Sequence, residues 1–150
     1  MPRTYDQILE EFTALKAEDF DSMRRDSDGM ERLVSLTDAL MTLPQPERFI
    51  RVMFTVMERL PESDLGSPGP LVHTLEQMRG HYESELIESI RRRPTLLAVW
   101  MVNRILNAAL APEQRPVFLD LLRLAAEHPA ASDAARHDAR HFIEYQTNLV

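Results

Sequence analysis

Apolar residues recur at i, i+3, i+4 and i+7 along nearly the whole of this chain, and that period is the period of a helix. Tyr5, Ile8, Leu9, Phe12 and Leu15 form the first stripe. Met30, Leu33, Val34, Thr37, Leu40 and Met41 form the second, and Phe49, Ile50, Met53, Phe54, Met57 and Leu60 the third. Later stripes run through residues 71–78, 82–90, 96–110, 117–125 and 135–149. Strict apolar/polar alternation is absent and only 4 of 150 residues are glycine, which disfavours hairpins and sheets. The pattern predicts an all-α chain of about eight helices.

Helix boundaries are marked by polar caps and by proline. Thr4-x-x-Gln7 and Asp28-x-x-Glu31 have capping-box spacing ahead of the first two stripes. Pro46, Pro70, Pro94 and Pro112 each precede a periodic run, as suits a first helical position whose N–H would lack a partner anyway, and Pro116 falls in an opening turn. The one extended loop expected is 63–70, SDLGSPGP, which cannot be helical throughout. Pro46 and Pro112 lie 66 residues apart, each between two amphipathic runs, and Gly80 marks a turn near their midpoint. Three hairpins at this spacing predict stacked antiparallel pairs of the HEAT type, with an irregular helical bundle as the alternative.

At 150 residues the chain fits one domain, 1–150. It has no cysteine, so disulfides and thiolate metal sites are excluded. The longest apolar run, 96–102, is far below the roughly 18 residues of a membrane span. The opening MPRTYDQILEEF has no apolar h-region, so no signal peptide is expected and the cytoplasm is the expected compartment. The formal charge of −7 is uneven. Residues 1–64 carry 14 acids and 8 bases, net −6, whereas residues 65–150 carry 10 and 9, net −1. Such a field disfavours nucleic acid and favours a basic partner, although it also serves simple solubility.

Catalytic motifs are missing: there is no Gly-rich phosphate loop, nucleophile elbow or His-Glu-x-x-His. The stretch Asp26-Ser27-Asp28-Gly29 hints at a calcium loop, but Arg24 and Ser35 would occupy positions that need carboxylates, and Asp28 is better used as a helix N-cap. His137 and His141 share a helical face with Arg140 and Glu144, opposite Ala135, Ala139, Phe142, Ile143 and Gln146. They are therefore expected to face solvent, with no metal site and no cofactor. Arg91, Arg92 and Arg93 close a helix, where cations meet the negative end of its dipole.

In PTLLAVWMVNRILNAAL, residues Leu97, Ala98, Met101, Val102, Ile105, Leu106, Ala109 and Leu110 make a broad apolar face. Trp100, Asn103, Arg104 and Asn107 collect on the narrow remainder. Asn is a mediocre helix former, so Asn103 and Asn107 are expected to form a structural polar network through their amides, with the 63–70 loop as partner. In the competing reading, Trp100 and Arg104 form a binding hot spot.

Residues 69–107, which contain GPLVHTLEQM, HYESELIESIRRRPT and VWMVNRILN, resemble the small helical immunity proteins of bacterial polymorphic-toxin and contact-dependent growth inhibition systems. The WMxNRIxN segment after an Arg-x-Pro-Thr turn is the most specific part. The resemblance implies a non-enzymatic protein that binds one cognate toxin domain and protects the producing cell. It carries over no contact residues. The acidic stretch 6–31, nine acids against three bases, would oppose the phosphate-binding cleft of a basic nuclease, with Asp19, Asp21, Asp26 and Asp28 as candidate partner contacts. A helical-repeat adaptor and a small metal-dependent hydrolase built on His137 and His141 are the rival readings.

Overall fold

The computed structural model describes residues 2–108 and 110–148. Ala109 and Leu149, counted above in the apolar stripes, lie outside the described residues. The protein is all-α: eight α-helices occur among the described residues, and no strand. They are α1 (Tyr5–Ala14), α2 (Gly29–Leu40), α3 (Ile50–Arg59), α4 (Gly69–Glu76), α5 (Glu83–Arg92), α6 (Leu96–Asn107), α7 (Arg115–Glu127) and α8 (Asp133–Thr147). Each predicted stripe corresponds to one helix. Short 3₁₀ turns at Ala17–Phe20 and Pro46–Phe49 precede α2 and α3. No described helix is long and apolar enough to cross a membrane.

The contacts divide the chain into two compact units, 1–85 and 86–150, with the division falling inside α5. In the first unit α1 packs against both α2 and α3, and α2 packs against α4, the arrangement of an irregular bundle. Ile8, Phe12, Leu33, Leu40, Phe49 and Met53 are fully buried. The Phe49 ring stands 4.5 Å from Tyr5 and 6.0 Å from Phe12, in tilted pairs. The Arg48 guanidinium carbon lies over the Tyr5 ring, 4.0 Å from its centroid. Arg59 of α3 donates to the carbonyls of Phe12 and Leu15 at 2.9 and 3.0 Å, so one guanidinium satisfies the C-terminal end of α1.

The start of α1 is a complete capping box: Thr4 Oγ1 accepts from the Gln7 N–H, and Gln7 Oε1 accepts from the Thr4 N–H. The second box expected from spacing does not form. Asp28 is the residue before α2, but its side chain makes no capping bond and lies 3.7 Å from Arg32 instead. An i, i+4 cation draws the carboxylate away from the helix N–H groups. The buried face of α2 is also rotated from the one predicted. It comprises Leu33, Leu36, Thr37 and Leu40, while Val34 is exposed. Pro70 and Pro116 occupy first turns as expected. Pro94 instead precedes the N-cap Thr95, whose hydroxyl accepts from Ala98 N–H, and Pro112 lies in the turn before α7.

In the second unit α6, α7 and α8 pack pairwise. Phe118, Leu122 and Ala125 of α7 and Ala135 and Ala139 of α8 are buried, whereas Val117 is exposed. The α7–α8 turn is fastened by its own arginines. Arg136 donates to the carbonyls of His128 and Pro129, and Arg140 to that of Ala126, all near 3.0 Å. His128 Nε2 bonds the Arg91 carbonyl at 2.8 Å, satisfying an acceptor at the end of α5.

Candidate partner-binding surfaces

The acidic residues singled out in the sequence fall on the connection between α1 and α2. Leu15 turns extended after α1, and the 3₁₀ turn at Ala17–Phe20 follows, with Asp19 Oδ2 accepting from the Lys16 N–H at 2.9 Å. Residues 21–28 then form turns without a helix. This stretch has no apolar stripe to bury, and its polar side chains bond the local backbone. Asp21 Oδ1 accepts from the Met23 N–H, and Ser27 Oγ donates to the Arg24 carbonyl. The loop expected at 63–70 is present, running through residues 60–68 before α4, and 21–28 is a second one that the apolar period does not mark.

The base of the 21–28 segment is closed by Gly29. A Cβ at that position would sit 2.6 Å from the Asp19 carbonyl oxygen and 2.8 Å from the Phe20 ring, so only glycine lets the 3₁₀ turn lie against the first residue of α2. Arg32 of α2 adds an ion pair to Asp19 at 3.2 Å. The four aspartates therefore have different roles. Asp19 is half-buried and shared between Arg32 and the Lys16 N–H. Asp28 is exposed beside Arg32. Asp26 and Glu18 both hold Arg24, Asp26 through contacts of 3.4 and 3.5 Å along the guanidinium edge and Glu18 through one of 2.8 Å. These hydrogen bonds and charges, those of Asp26 first, push the Arg24 guanidinium above its ordinary range. Asp21 follows the 3₁₀ turn directly and is exposed.

An open cavity of about 220 Å³ beside this segment is lined by Arg3, Glu11, Asp28, Glu31, Arg32 and Ser35. Arg3 reaches across it, pairing with Glu11 at 3.1 Å and bonding the Ser35 hydroxyl. Both cations of this cleft are thus held by the protein itself, and Glu31 is exposed at its edge.

The second predicted group lies on α6. Trp100 is half-buried, and its indole N–H donates to Asp138 Oδ2 of α8 at 2.7 Å. Arg104 is exposed. Asn103 and Asn107, one turn apart, direct their amide oxygens to the same Gln146 Nε2, at 2.7 and 2.8 Å. Gln146 is only 1% exposed. Its side-chain and backbone oxygens both accept from Arg115 of α7, at 3.2 and 3.0 Å. The Asn103 and Asn107 amides thus bond Gln146 of α8 where the 63–70 loop was the expected partner, and with Arg115 they tie α6, α7 and α8 together.

His137 and His141 are exposed on the face shared with Arg140 and Glu144, as the helical wheel predicts. Among the described residues no group of three or more His, Asp or Glu side chains is placed to hold a metal ion. Comparison of the chain with family models, with curated proteins and with solved structures gave no match.

Proposed function

We propose that this protein is an immunity protein that binds a cognate toxin domain stoichiometrically in the cytoplasm of the producing cell and blocks it, and that the toxin presents a basic surface. The observation that carries the reading is the acidic 15–28 segment. It holds Asp21 and Asp26 in solvent on a base closed by Gly29 and the Asp19–Arg32 pair, so its charge is displayed on ordered backbone. A preordered acidic surface suits rapid capture of a basic protein, because charge speeds encounter and little chain entropy is lost on docking. The resemblance of residues 69–107 to immunity proteins supports the same reading. In this proposal the Trp100–Asp138 and Asn103–Gln146–Asn107 bonds are scaffold, and the contacts lie on the first unit.

Co-expression with the protein encoded by the neighbouring open reading frame tests the proposal. The expected outcome is rescue of growth and co-purification of a one-to-one complex. Growth arrest undiminished by the chain, with no complex recovered, would sink it.

A further inference from the structure

Of the 17 lysine and arginine side chains in the sequence, those outside helices are Arg3, Lys16, Arg24, Arg25, Arg79 and Arg93. All but one are held or hemmed in. Arg3 pairs with Glu11, and Lys16 follows fully buried Leu15 and donates its N–H to Asp19. Arg79 follows buried Met78, and the next N–H, that of Gly80, is bonded to Glu83. Arg93 precedes Pro94, whose ring restricts the backbone on both sides of that bond. Arg24 is held by Glu18 and Asp26. Arg25 differs from them all. It is exposed, and among the described residues its side chain has no hydrogen-bond or ion-pair partner. The Arg25 carbonyl and the Asp26 N–H take part in no backbone hydrogen bond either.

We propose that the Arg25–Asp26 peptide bond is a proteolytic processing site for an endopeptidase of trypsin-like specificity. Such an enzyme receives a basic side chain in a pocket that ends in a carboxylate, and it needs a stretch of substrate that opens locally at low cost. None of residues 21–28 is buried, and the bonds that tie the turn are local, such as those from the Met23 N–H to Asp21 and from Ser27 to the Arg24 carbonyl. Opening the turn therefore uncovers no apolar core, and exposed polar turns are preferred places for nicking. In the reaction water adds across the bond. Its oxygen joins the Arg25 carbonyl carbon as the C–N bond breaks, and the Asp26 nitrogen leaves as an amine with a proton from that water. Residues 1–25 carry α1, whose Ile8 and Phe12 are fully buried and whose last carbonyls are bonded by Arg59. The nicked chain stays assembled through these contacts, but α1 has lost the covalent link that kept it at high effective concentration. One hydrolysis thus makes the stability of the first unit depend on protein concentration.

Trypsin in limiting amount, acting on the native full chain, is the probe. Mass spectrometry should find residues 1–25 and 26–150 as the first products, and they should co-elute in gel filtration and separate only in denaturant. On dilution the melting temperature of the nicked chain should fall, while that of the intact chain stays fixed. Arg25→Gln should leave the circular dichroism unchanged and slow the first cleavage at least about tenfold, because the pocket carboxylate loses its cation. Arg24→Gln, which removes a guanidinium already held by Glu18 and Asp26, should leave the first cut after Arg25. A first cut elsewhere, or Arg25→Gln nicked at the wild-type rate, overturns the site. Fragments that part as soon as the bond is cut overturn the concentration-dependent assembly.

Discussion

Gln146 supplies a single amide group to two asparagines on α6 and takes a guanidinium from α7, and this asymmetry sets what each substitution should cost. In Asn103→Ala the Gln146 Nε2 loses one acceptor and keeps Asn107. The expected loss is about 1 kcal/mol, at the low end for a hydrogen bond left unmade. In Gln146→Ala the half-buried Asn103 oxygen and one Arg115 contact lose their partner together, and a fully enclosed side chain leaves a void. The expected loss is about 2–4 kcal/mol. Urea unfolding followed by the fluorescence of Trp100, the sole tryptophan, measures both. Equal losses in the two variants would show that the network does not centre on Gln146. The asparagines were legible in the sequence because two poor helix formers one turn apart need a reason. Gln146 was placed only on the buried face of its helix, since nothing in the spacing connects residues that lie 39 and 43 positions apart.

The elements themselves were written plainly in the apolar period, and all eight helices follow it. Their finer features were not, because they depend on neighbours. The buried face of α2 is set by α1 and α4 packing against it, so Val34 stays in solvent although it fits the stripe. The capping spacing at Asp28 fails because Arg32 competes for the carboxylate. Most consequential is Gly29. Within a helix its replacement by alanine should favour folding, since glycine costs about 1 kcal/mol there relative to alanine. Here the added methyl would meet the Asp19 carbonyl and the Phe20 ring well inside van der Waals contact. Gly29→Ala is therefore expected to destabilise the chain by about 1–3 kcal/mol and to displace the 3₁₀ turn from α2. Amide hydrogen exchange should rise at residues 16–28 and stay unchanged in α6–α8. A more stable variant with an unaltered exchange pattern would mean that the turn is not seated on Gly29.

At the scale of the whole molecule, the charge asymmetry visible in the sequence acquires a structural division of labour. Residues 1–64 carry net −6, but Asp19 and Asp28 are engaged by Arg32, whereas Asp21 is exposed and Asp26 shares the exposed Arg24. Long-range attraction depends on the sum of charges, whereas stability depends on which contacts are buried and bonded. Two double variants separate these effects. Asp21→Asn with Asp26→Asn removes two outward charges, and Asp19→Asn with Asp28→Asn removes two that brace the 3₁₀ turn against α2. Each pair lowers the negative charge equally, so both should slow association with a basic toxin by a similar factor of about three to ten at low salt. The difference between variant and wild type should fade as salt shortens the screening length to about 10 Å near 0.1 M. Only the second pair should also lower the melting temperature, because Asn at position 19 keeps an acceptor for the Lys16 N–H but gives up the charge that meets Arg32. Stopped-flow association across a salt series, together with thermal unfolding of each free chain, distinguishes the outcomes. If both pairs bind at the wild-type rate in low salt, charge does not steer this encounter, and the acidic surface serves the solubility of the chain.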